Sequence, residues 1–84
     1  MPYIKQEDRL KFNSNLQKLS EQIDTDGELN YCITKLLHLF IDKHGKNYKN
    51  LARCIGALNC VELEFYRKVV SPYEEQKIKE NGDI

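Results

Sequence analysis

The segment from Asn47 to Val70, NYKNLARCIGALNCVELEFYRKVV, constrains this chain more than any other. At about 100° per residue, a helix over it puts Leu51, Ile55, Leu58, Phe65 and Val69 on one line. Cys54 and Val61 border that line on one side, and Ala52, Leu63, Tyr66 and Val70 border it on the other. Arg53, Glu64 and Lys68, with Ala57 among them, form the plainly solvated strip. A helix apolar over roughly half or more of its circumference must be covered from more than one direction. In 84 residues the cover is the chain's own other helices, a second copy, or a partner. A chain this short buries only roughly 60% of its unfolded surface, so self-association is a natural supplement.

The rest of the chain reads as shorter helices around that one. Pro2-Tyr3-Ile4 suits an extended start with Tyr3 and Ile4 as anchors, and Gln6 to Lys11 a short helical turn. Asn13-Ser14 is an expected interruption, because both residues favour caps over helix interiors. Leu16, Leu19 and Ile23 then mark a short amphipathic helix to about Gln22. Asp24-Thr25-Asp26-Gly27 is a turn and start signal, with Thr25 or Asp26 able to accept from orphan N–H groups and Glu28 placing negative charge at the positive helix end. The second helix runs to about His44, with Leu29, Ile33, Leu36 and Phe40 as its central line; Lys43 and His44 complement its C-terminus, and Gly45 suits a left-handed exit. Asn47 is the expected cap of the long helix. Ser71-Pro72-Tyr73-Glu74 matches a capping box and predicts a fourth, short, charged helix from about Pro72 to Glu80, ending at Asn81-Gly82. The reading is a single all-α domain over residues 1–84, two long and two short helices, with continuity of the long helix near Leu58-Asn59 left open.

Charge and composition narrow the function. Lys+Arg and Asp+Glu balance at 13 each, for a formal net charge of zero, which is not the footprint of a phosphate-neutralising nucleic-acid binder. No apolar run approaches the roughly 20 residues that span a bilayer, and MPYIKQEDR lacks the apolar core of a signal peptide, so a cytoplasmic location is expected. Cys32, Cys54 and Cys60 are odd in number and sit in apolar helical patterns, as reduced core thiols do. No His/Cys cluster has metal spacing, and no Cys, His and acid are placed for nucleophilic catalysis.

Two other function classes have partial signals. For a helix-turn-helix, Leu51-Ala52, Ile55-Gly56 and Phe65 fall near the required spacings and Asn59 could cap the second helix. Glu62 stands where that motif wants an apolar residue, and Glu62 and Glu64 offset Arg67 and Lys68 in the would-be recognition helix. For a helical nucleotide hydrolase, Glu21-x-x-Asp24 has a suitable spacing but straddles a helix end and has no second copy, and Glu62-x-Glu64 points its two carboxylates to different sides. The run Lys43, His44, Lys46, Lys49 and Arg53 reads as a solvated helix junction or a phosphate contact.

The stretches MPYIKQEDR, GELNYCITKLL, IGALNCVELEFYRKVVSPYE and KIKENGD together resemble a family of small proteins of bacteria, tailed phages and prophages. The resemblance implies a phage or mobile-element setting and one all-α domain. It assigns no activity, so it carries over no catalytic residue.

The function these features favour is a non-enzymatic, homo-oligomeric binding module, without cofactor or metal, for a host protein or a small anionic ligand such as a nucleotide. The candidate binding residues are Asn59, Glu62, Tyr66, Arg67, Tyr73, Glu74 and Asn81. Glu62 is the focus: it falls within about 20° of the Leu51–Val69 line, where a buried carboxylate needs a partner, and Asn59 and Tyr66 are its same-face neighbours at i−3 and i+4.

Overall fold

In a computed structural model, which describes residues 3–84, every secondary-structure element is helical. The expected extended start at Pro2 lies outside the described residues; Tyr3 and Ile4, expected as anchors, are exposed. Three helices are present rather than four, in two units, Met1–His44 and Gly45–Ile84.

In the first unit, α1 (Gln6–Ser20) is a single helix that runs straight through Asn13 and Ser14. The expected interruption fails because such residues cost only a few tenths of a kcal/mol relative to most others in a helix interior. With no Gly or Pro nearby, the backbone ladder prevails. Glu7 and Asp8 in its first turn and Lys18 in its last complement the helix dipole.

Helix α2 (Asp26–His44) begins on a reciprocal pair of side-chain bonds. The Thr25 hydroxyl accepts from the Glu28 N–H at 3.1 Å, while the Glu28 carboxylate accepts from the N–H groups of Asp24 at 2.8 Å and Thr25 at 3.1 Å. Thr25, not Asp26, is therefore the cap. The backbone N–H groups of Asp24 and Thr25 hold the Glu28 carboxyl below its usual value. A depressed carboxylate contributes stability that is complete above the unfolded-state value and disappears as pH falls through the folded one. Thr25→Ala is expected to cost about 1 kcal/mol of helix stability, and the wild-type advantage in a thermal melt should fade in acid as Glu28 takes up its proton.

At the other end of α2, the Phe40 and His44 rings meet in a tilted contact, with centroids 4.4 Å apart and planes at 41°. Gly45 follows at φ +108°, the left-handed exit its position suggested.

The second unit is built on one long helix. Asn47 is extended and its side chain accepts from the Asn50 N–H at 2.9 Å. Asn50 is itself buried; its amide donates to the Gly45 carbonyl at 3.0 Å and accepts from the Arg53 guanidinium at 3.1 Å. Helix α3 (Tyr48–Phe65) then passes through Gly56, Leu58 and Asn59 without a break, which settles the open question of its continuity. Beyond Phe65 it widens into a π-helical turn, Tyr66–Val70, and continues as α-helix over Ser71–Asn81.

The separate fourth helix is thus a correction. Ser71 is helical (φ −61°, ψ −47°), not extended as a cap would be, and no side chain caps the Ser71–Asn81 stretch. Pro72 has no N–H to give to the carbonyl four residues back and its ring clashes with it. The widened turn accommodates both defects: the Ser71 N–H reaches the Tyr66 carbonyl, one residue further back than in an α-helix. The whole rod from Tyr48 to Asn81 is about 50 Å long at 1.5 Å per residue. It stops where the Gly82 N–H bonds the Ile78 carbonyl at 2.8 Å and Gly82 turns to φ +82°.

Candidate functional site

The apolar line of α3 is open to solvent in the single chain. Leu51 is 43% exposed, Ile55 59% and Phe65 58%, while Leu58 is half-buried. On the flanks, Val61 and Leu63 are exposed and Cys54 is buried. The same holds along α2, where Leu29, Ile33 and Leu36 are exposed and Cys32, Leu37 and Phe40 are half-buried. Among the described residues, Cys54 and Asn50 are the buried ones. Within the first unit, α1 and α2 do not pack side by side.

The π turn changes which distal residues share the α3 line. It carries about one residue more than the α turn it replaces, so everything beyond it is set back by about 100°. Val69, which uniform α-helical spacing puts on the line, rotates away and is 50% exposed. Val70 moves onto the line and is half-buried.

The same rotation accounts for a side-chain bond that spans eight residues of this helix. Residues eight apart in an α-helix lie about 80° apart around the axis; across the π turn they come nearly into register. The Tyr66 hydroxyl accordingly donates to the Glu74 carboxylate at 3.0 Å. That carboxylate, by accepting the bond and by repelling the phenolate, holds the Tyr66 phenol above its ordinary value. Glu74 thus bridges the turn instead of folding back on a capping Ser71.

The candidate residues separate into those the fold joins and those it leaves apart. Tyr66 and Glu74 form the bridge; Arg67 pairs with Glu64 at 2.9 Å on the solvated side; the Lys77 ammonium lies 5.5 Å from the Tyr73 ring centroid. Asn81 is exposed at the helix end. Asn59 and Glu62 are exposed, and neither side chain makes a hydrogen bond or ion pair among the described residues. The expected Asn59–Glu62–Tyr66 cluster therefore does not form within the chain, because Tyr66 turns its hydroxyl to Glu74, and the chain alone does not bury a carboxylate at position 62.

These geometries are carried by a sequence that a known family spans: a domain of unknown function, DUF6899, matches residues 1–84. The chain belongs to the DUF6899 family. No curated protein and no solved structure matches it.

In this DUF6899 chain, the Gly45–Asn47–Asn50–Arg53 network escaped the sequence reading, although an Asn three residues after a capping Asn was its visible signal. The thiols divide by position: Cys54 is buried and Cys32 half-buried, whereas Cys60, expected in a core, is exposed on the side of α3 opposite Leu51. Among the described residues no three His, Cys, Asp or Glu side chains are grouped to hold a metal ion, and no helix is long and apolar enough to cross a membrane. The corner that a helix-turn-helix needs near Gly56–Asn59 is continuous helix.

Proposed function

We propose that this protein is a non-enzymatic, self-associating helical module whose α3 face is covered by a second copy of the chain. The observation that carries the reading is the open apolar line Leu51, Ile55, Leu58 and Phe65. A contiguous apolar surface of this kind marks an interaction site rather than ordinary surface. A second copy is favoured by charge. With zero formal net charge, two copies approach without net repulsion.

The assembled form would then bind its target, a host protein or a small anionic ligand such as a nucleotide, in the cytosol of a bacterium or a phage-infected cell, as the resemblance to small phage and prophage proteins suggests. Sedimentation equilibrium of the full chain at micromolar concentration tests the first step. A mass that is a multiple of 9.9 kDa is expected, and a 9.9 kDa monomer alone overturns the reading. Native mass spectrometry of the same preparation reads any ligand that stays bound.

A further inference from the structure

The long helix ends on Asn81-Gly82, and Asn81 is the one asparagine that a glycine follows; Ser14, Leu16, Tyr31, Tyr48, Leu51 and Cys60 follow the others. We propose that Asn81 is a site of spontaneous deamidation, opened and closed by the last turn of the Ser71–Asn81 stretch. The proposal is independent of self-association, because it needs only the end of one chain.

The chemistry is a cyclisation. The Gly82 backbone nitrogen gives its proton to a solvent base and attacks the Asn81 side-chain carbonyl carbon. The new C–N bond closes a succinimide, and the side-chain nitrogen leaves as ammonia. Water then opens the ring at either carbonyl, giving aspartate or, with the backbone routed through the side chain, isoaspartate. Nothing is oxidised or reduced. A following glycine favours the first step, because it has no side chain to shield the nitrogen and admits backbone angles that other residues resist. Asn81 is exposed and its side chain makes no hydrogen bond among the described residues. There is open space where Gly82 lacks a Cβ.

The fold holds this chemistry back. The Gly82 N–H donates to the Ile78 carbonyl at 2.8 Å, which keeps its proton in place and directs the nitrogen back along the helix, away from the Asn81 amide. Attack therefore requires that bond to break, and the fraying of a terminal turn costs little. Few contacts hold the turn shut. Ile78 is half-buried, while Lys79, Glu80, Asn81 and Asp83 are exposed. The Lys77–Glu80 pair at 3.0 Å is a surface pair of the kind that contributes little. Asn13 and Asn15, by contrast, lie within α1, where attack would need a helix interior to open. Conversion of Asn81 also loosens the turn further, since it adds a negative charge between Glu80 and Asp83 at the helix end whose carbonyls already carry negative partial charge.

Mass spectrometry of the full chain, with fragmentation to place the change, follows the gain in mass as amide becomes acid in warm, mildly alkaline buffer. The chain is incubated folded and, in parallel, unfolded in guanidinium chloride. Asn81 should convert before any other asparagine in the folded chain, and roughly tenfold more slowly there than in the unfolded one. In the unfolded chain Gly82→Ala should slow conversion at Asn81 by at least about tenfold, through its shielded nitrogen and narrower backbone freedom. Another asparagine converting first in the folded chain overturns the site. Equal rates folded and unfolded overturn the control by the last turn. If Asn81 stays intact in the folded chain for as long as full conversion takes in the unfolded one, the turn never opens the site and the proposal falls. An unchanged rate in Gly82→Ala shows that the Gly82 nitrogen is not the attacking group, and the proposal falls with it.

Discussion

Ile55→Asp is expected to dissociate the proposed assembly while leaving the helix of the single chain intact. Ile55 is 59% exposed before association, so an aspartate there costs the isolated chain only a few tenths of a kcal/mol in helix propensity. In the proposed assembly the same position would be covered, and the loss is of two kinds. Burying an isoleucine contributes about 1.5–3 kcal/mol, and the carboxylate that replaces it must be desolvated without a cation on the same face. In a two-fold interface each substitution counts twice. At about 1.4 kcal/mol per tenfold, self-association should weaken by at least about 100-fold, read as a shift from oligomer to monomer in sedimentation. Cys60→Ser is the matched control, since Cys60 is exposed and about 180° from Leu51. Equal loss in both variants would mean general destabilisation, and no loss in Ile55→Asp would remove α3 from the interface.

The wide apolar arc of residues 47–70, the Asn47 cap, the Thr25–Glu28 start and the Gly45 and Gly82 exits were legible because each is decided by neighbours within four or five residues. What the sequence reading misjudged involves competition between local options. At Asn13-Ser14 two capping residues sit inside a helix that has no competing breaker. At Ser71-Pro72-Tyr73-Glu74 the pattern of a capping box is present, but the helix entering from Phe65 supplies the carbonyls that a new helix would lack, so continuation through a widened turn replaces a restart. The phase shift follows from that substitution and could not be read from a uniform 100° wheel. Hence a uniform wheel puts Val69 on the line where Val70 stands, and pairs Tyr66 with Glu62 where Glu74 receives its hydroxyl.

Glu62 lies before the π turn, so its position within about 20° of the Leu51–Phe65 line is unaffected by the shift. It is the one charged side chain among the residues nearest that line, Leu51, Cys54, Ile55, Leu58, Glu62, Phe65 and Tyr66. In the single chain it is exposed, as are Ile55, Phe65 and Tyr66 beside it. Covering the face confronts this carboxylate with apolar surface in either orientation of two α3 helices: a parallel pair sets it near its own copy, and an antiparallel pair sets it near the Cys54–Ile55 region. Both arrangements oppose association, because a lone buried charge costs several kcal/mol unless it is paired or protonated. Glu62→Leu should therefore tighten self-association by about 100-fold, from two copies each gaining apolar contact and losing a desolvation cost. Glu62→Gln keeps the shape and a polar head, so it should give a smaller gain in the same direction. A carboxylate kept there as the contact for a cationic group of a target predicts the opposite for binding: both variants would assemble and neither would hold the target. Sedimentation of the three proteins side by side decides the first point, and unchanged association in Glu62→Leu would place Glu62 outside the covered face.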